Sequence, residues 1–288
     1  MSSPAMPLNN AHLREMPFPS TLYNKLPHIN DMHDAAANHA RAHAVLLGII
    51  AAHGVAETFS VHLIHKHFDL PDGRIMVYET VKGTTTHQDF VLCSPRPPEK
   101  CSNARGLYFK ASAGGDMVAY EFTTDPGADL AAHEGFVAAF SKAAIEMGVQ
   151  DVFALTAMSI CPQNKILTEF ELAQALSTIL VSDASWLPAG DVTESTTTDW
   201  LADQEYAQYA DGSVPGIIQL KCTRTRSQSH YNVTCSTTRN GSHLGHTPNP
   251  FPEAPEDSVL IINGTLVDEG SKPHAIISQA LKMVDVVY

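Results

Sequence analysis

The chain has 288 residues, 44% apolar and 17% charged, a composition that supports a buried core in one large domain or two ordinary ones and leaves little room for disorder. Lys and Arg number 18 against 31 Asp and Glu, a formal charge of −13 that disfavours nucleic acid or an acidic membrane face as a partner. The first residues carry no signal-like run, no window reaches the roughly 18 apolar residues of a membrane span, and the five cysteines include no CxxC pair, so a cytoplasmic protein without a disulfide framework is expected.

Residues 1–30 hold Pro4, Pro7, Pro17, Pro19 and Pro27 and little periodicity, which predicts an extended N-terminal arm, pinned to the body by Phe18, Leu22, Tyr23 and Leu26. An Ala-rich helix is expected over 34–53, with Gly54 at its C-terminal cap and with His39 and His43 on one exposed face. A strand over 58–68 follows, turns at Pro71-Asp72-Gly73 and pairs with a second strand over 74–81. Further strands over 88–93, 107–111 and 117–122 complete an antiparallel meander.

A second Ala-rich helix spans 128–147, ends at Gly148 and leads into a strand over 151–159. Sliding the chain by 94 positions lays Gly54-Val55 on Gly148-Val149, Phe59 on Phe153 and Val61 on Leu155, which suggests a duplicated unit. His65 then falls on Ser159 and His67 on Cys161, so only one half carries the histidines. A chance match of two helix ends is the competing explanation.

Residues 168–181 fit a helix by spacing but a strand by the internal alignment, and the first half is assigned to strand. Residues 182–213, rich in Ser, Thr, Asp and Gly, read as a surface excursion bearing Trp186, Trp200, Tyr206 and Tyr209. The runs 216–226 and 230–238 suggest a hairpin, 258–267 a strand and 273–285 a final helix. The expected architecture is α+β: an antiparallel sheet packed by long helices, forming a single domain over 31–288 with related halves near 31–125 and 126–288.

Chemistry concentrates in Ser60-Val-His-Leu-Ile-His-Lys-His-Phe68. In a strand His65 and His67 project together, about 7 Å apart, while His62 faces the other way. Such a pair can share a divalent metal, zinc or iron, with the remaining ligand drawn from His87, His133, Glu134 or Cys161. Of these His133 is taken as the third ligand and Glu134 as a catalytic group beside His65 and His67. An arrangement without metal would set the pair against Asp69 or Glu79, and packed histidines bonded to carbonyls would serve no chemistry.

Other features carry less. The stripe Lys221, Arg224, Arg226 fits a carboxylate-bearing ligand or a solvent face, His243-Leu-Gly-His246 a loop, and Cys93 and Cys161 small core positions. No P-loop, dinucleotide fingerprint or serine-hydrolase elbow is present. The phrase Leu63-Ile-His-Lys-His-Phe-Asp-Leu70, after an Ala-rich helix and Gly54-Val55, resembles uncharacterised filamentous-fungal proteins; the resemblance implies a fungal cytosolic protein and no particular activity. Two functions follow as expectations: a small-molecule hydrolase, isomerase or lyase using the His65 and His67 face, or a non-catalytic ligand-binding or interaction protein presenting the Trp186 to Tyr209 region. The sequence leaves substrate and oligomeric state open.

Overall fold

A computed structural model describes residues 13–15, 17–83, 89–127, 130–157, 167–172, 175–181, 192–202, 217–225, 233–239, 242–244, 258–262, 265–267 and 271–284. In chain order the elements are β1 (Leu13–Arg14), α1 (Ser20–Tyr23), α2 (Ala35–Asn38), α3 (Ala40–Ala52), β2 (Phe59–Leu63), β3 (Ile75–Val81), β4 (Phe90–Arg96), β5 (Arg105–Ala111), β6 (Met117–Thr123) and α4 (Glu134–Glu146). There follow β7 (Phe153–Ala157), β8 (Leu167–Leu172), β9 (Ser177–Val181), β10 (Val192–Leu201), β11 (Ile217–Thr225), β12 (Val233–Arg239), β13 (Ser242–Leu244), β14 (Ser258–Ile262), β15 (Thr265–Val267) and α5 (Lys272–Met283).

The large sheet runs β1-β6-β3-β4-β9-β8-β11-β10-β2-β7-β5, and a further pairing of β5 with β6 closes it, so that each strand from β2 to β11 has a neighbour on both edges. The sheet is mixed, not antiparallel as expected, because β3 with β6, β8 with β11 and β1 with β6 run parallel. The expected hairpin of β2 with β3 does not form: β2 lies between β10 and β7. Likewise β11 and β12 are no hairpin, since β12 belongs to a second sheet of order β13-β12-β14-β15. The expected surface excursion contains β10, and Trp200 within it is buried.

The ring reads the same when β2 is exchanged with β7, β3 with β8, β4 with β9, β5 with β10 and β6 with β11, down to which pairs are parallel. The offset of 94 holds residue for residue from α3 and β2 to α4 and β7. Both helices end before a glycine with positive φ, Gly54 at 66° and Gly148 at 69°, the backbone state that glycine adopts without a Cβ clash. Val61 stands directly opposite Leu155 where β2 meets β7, so the aligned residues face each other.

Alternation then sorts the side chains. On the outer face Leu46, Leu47 and Ile50 of α3 and Phe136, Val137 and Phe140 of α4 bury against Phe59, Val61, Phe153 and Leu155. Each helix has 13 residues, shorter than the long helices expected, because α2 and a 3₁₀ turn take up the preceding residues. Across the ring Ile276, Ile277 and Ala280 of α5 cover Leu92, Ile179 and Val181. Among the described residues no helix is long and apolar enough to cross a membrane.

The inner face holds Tyr78, Tyr108, Tyr120, Cys93, Leu107 and Leu180, joined by Tyr23 and Leu26 of the arm. Leu107 and Tyr120 have no register partner, so β5 and β6 each carry a bulged residue there, and adjacent residues on both strands turn inward. Gly106 is required beside this irregularity, since a Cβ would stand 2.2 Å from Phe109 Cζ and 2.9 Å from Ala119 Cβ, both fully buried. Gly106→Ala is expected to destabilise by about 1–3 kcal/mol, read as a lower urea midpoint with unchanged slope.

The expected exposed face bearing His39 and His43 does not form on α3: His39 stands at its N-cap, and His43 stacks on Phe153 at 5.2 Å and meets Trp200 edge-on at 4.5 Å. Burial pushes its imidazole down to about 4 from the ordinary 6.5. The unfolded chain therefore takes up a proton that the native state refuses, and this stabilisation is complete above the unfolded value and lost as pH falls from 6.5 toward 4. Stability should drop by up to about 3 kcal/mol across that window in wild type, and His43→Phe should flatten this part of the pH profile in urea titrations.

Candidate metal centre

Strand β2 ends at Leu63, five residues earlier than expected; Ile64 N still donates to Val152 O at 2.8 Å beside β7, and from Lys66 on the backbone bonds to the N-terminal arm. That early end defeats the alternation argument, because His65 folds back until its ring lies 5.2 Å from that of His62. His65 Nδ1 donates to Leu63 O at 2.8 Å, which leaves Nε2 as the ring's acceptor nitrogen. Burial first, then the neighbouring His67 and His62, push the His65 imidazole well below its ordinary value, so it stays neutral.

His65 Nε2 lies 3.3 Å from His67 Nε2, and His67 Nε2 lies 3.2 Å from Glu169 Oε2. Glu169 sits on β8, separated from β2 around the ring by β11 and β10, so the group is assembled across the interior. The three ligand atoms lie within 4.8 Å of one another and all three residues are buried. Ligands about 2.0–2.1 Å from a tetrahedral ion stand roughly 3.3–3.4 Å apart, so these separations fit a shared divalent metal. Glu171, two residues along the same face of β8, places Oε2 3.9 Å from His67 Nδ1, on the far side of that ring from Glu169.

A second assembly stands beside the first. Asp199 on β10 accepts from Ser60 Oγ at 2.9 Å, Thr156 Oγ1 at 2.8 Å and His62 Nδ1 at 2.7 Å. The His62 ring stacks on Tyr108 with centroids 3.9 Å apart. Glu121 on β6 accepts from Tyr23 at 2.7 Å and Tyr78 at 2.9 Å. Burial raises the Glu121 carboxyl above the usual carboxylate range, against the opposing pull of His62 and the two hydroxyl donors. Burial also holds the Tyr78, Tyr108 and Tyr120 hydroxyls and the Cys93 thiol protonated, with nearby carboxylates adding to the effect.

The structure joins His65 and His67 but does not bring His133 or Glu134 to them. His133 ends a 3₁₀ turn with its ring edge-on to Phe59 on the helix-covered outer face, and Glu134 is exposed at the start of α4, so the sheet stands between both and the interior. Asp69 is paired with Lys66 and Glu79 with Arg96. His87, Cys161, Trp186, Tyr206, Tyr209, Arg226 and His246 lie outside the described residues, as do the side chains of Lys221 and Arg224. Glu169, Asp199 and Glu121 were missed by sequence reasoning. Glu169 belongs to Thr168-Glu-Phe-Glu-Leu172, where acids alternating with apolar residues signal a water-facing edge; here the acids face inward and Leu172 packs under α5.

No protein-family model, curated protein or solved structure matches the chain.

Removing the Asp199 carboxylate would strand three buried donors at once. Asp199→Ala is expected to cost about 3–5 kcal/mol of stability and Asp199→Asn distinctly less, by chemical denaturation. Equal losses in the two variants would show that the hydrogen bonds to this position carry little.

Proposed function

We propose that the protein is a small-molecule enzyme working at a divalent metal held by His65, His67 and Glu169, within the reaction classes of hydrolysis, isomerisation or elimination. The observation that carries this reading is the convergence of His65 Nε2, His67 Nε2 and the Glu169 carboxylate, with His65 Nδ1 already engaged by a backbone carbonyl. An outer bond of that kind fixes the tautomer and aim of metal-bound histidines. Three protein ligands leave coordination positions for water and substrate, as in catalytic sites, whereas structural zinc takes four.

Two imidazoles and one carboxylate suit zinc or ferrous iron. When bound, such an ion acidifies a water molecule or polarises a carbonyl. The chain's own groups add to this. His62, oriented by Asp199, is placed to accept or return a proton beside the centre, and Tyr108 and Tyr120, kept protonated by burial, offer hydroxyl donors to developing negative charge. A non-catalytic interaction protein has less support, because Trp200, the aromatic residue expected at its contact surface, is buried against His43 and Phe153.

Untagged protein is expected to bind one zinc per chain. Zinc at 100 times its dissociation constant should raise stability by about 2.7 kcal/mol, and His65→Ala, His67→Ala and Glu169→Gln should each abolish the shift. Metal-free protein whose melting temperature ignores zinc, cobalt and ferrous iron would remove the reading.

A further inference from the structure

Beyond Leu63 only Ile64 N still bonds beside β7, to Val152 O at 2.8 Å, so the backbone groups of residues 65–70 need other partners. The N-terminal arm supplies several of them. Lys66 N donates to Pro27 O at 2.9 Å and Lys66 O accepts from Ile29 N at 3.0 Å, a one-residue parallel bridge around His28. His28 Nε2 donates to the carbonyl of His67 at 2.8 Å, and its tautomer is set because Nδ1 accepts from Asn30 N at 3.2 Å. Asn24 closes the far end: its Nδ2 donates to Leu70 O at 3.0 Å and its Oδ1 accepts from Leu70 N at 2.7 Å. Lys66 Nζ adds a bond to the Asn24 carbonyl, and Tyr23 anchors the arm inside the ring on Glu121.

We infer that the arm is a working part of the metal centre, with Asn24 and His28 as positioning residues that hold residues 64–70 in the conformation presenting both Nε2 atoms to Glu169. The inference rests on the metal assignment above and extends it to residues that touch neither ion nor substrate. Without the arm, Lys66, His67 and Leu70 lose backbone partners, and the segment must be ordered at the expense of metal affinity. Coupling of this kind is reciprocal: a metal that binds better to the docked arm holds the arm down by the same factor.

The test uses the full-length protein and zinc or cobalt ions as probes. Asn24→Ala and His28→Phe are expected to weaken zinc binding by about tenfold or more, in the range seen for outer partners of metal ligands. At saturation the cobalt absorption bands should match wild type, since the ligand set is unchanged. Leu22→Ala, on the same arm but 44% exposed, should bind zinc as wild type does. In wild type, zinc should slow hydrogen exchange at the amides of Ile29, Lys66 and Leu70, a measurement that needs no variant to fold. Zinc affinity within twofold of wild type in folded Asn24→Ala and His28→Phe, or exchange at those amides indifferent to zinc, overturns the inference while leaving the metal centre standing. A wild type that takes up no metal overturns both.

Discussion

Three strands, β2, β7 and β10, meet on the single carboxylate of Asp199. Register between β10 and β2 extends over only two residues, Asp199 opposite His62 and Trp200 opposite Val61, so backbone pairing alone holds this joint weakly. The side chain makes up the difference by taking Ser60 and His62 from β2 and Thr156 from β7. With the joint held, the sheet closes, and closure creates an interior in which polar groups must be satisfied by protein. The Glu121 bonds to Tyr23 and Tyr78 and the His65 bond to Leu63 meet the same requirement at other points of the inner face.

Much of the fold was legible where a single period dominates. The helix, Gly54 and strand sequence, and its echo at Gly148, were readable because apolar spacing and a left-handed glycine act locally. Strand partners were not, since local pattern says nothing about which edges meet: the turn at Asp72-Gly73 exists, yet β3 pairs with β4 and β6. The site was half legible. A pair of histidines two residues apart stood out by type, whereas Glu169 was hidden by a pattern whose usual meaning is solvent exposure. Asp199 was hidden by Thr-rich surroundings that read as surface, although a ring with a polar interior turns such residues inward.

The candidate centre draws on both kinds of order. Glu169 comes from a strand paired on both edges, while His65 and His67 come from a segment past the end of β2 that is hydrogen-bonded to the arm. Through that segment His67 meets Glu169 on β8, three strands from β2 around the ring. The fastenings of that segment lie some forty residues upstream, at Asn24 and His28.

The two matching halves of the ring differ where it counts. At the joint of β10 with β2 Asp199 faces His62, whereas at the equivalent joint of β5 with β7 Tyr108 faces Thr156. By the same exchange Glu169 on β8 takes the place that Tyr78 holds on β3. A ring made of two identical chains would have to repeat every substitution on both sides, placing acids against acids across a small interior. Joining the halves covalently removes that obligation, so one half can carry Asp199 and Glu169 at the places where the other carries Tyr108 and Tyr78. The lopsided interior is thus a freedom that a symmetric homodimer of either half would not have.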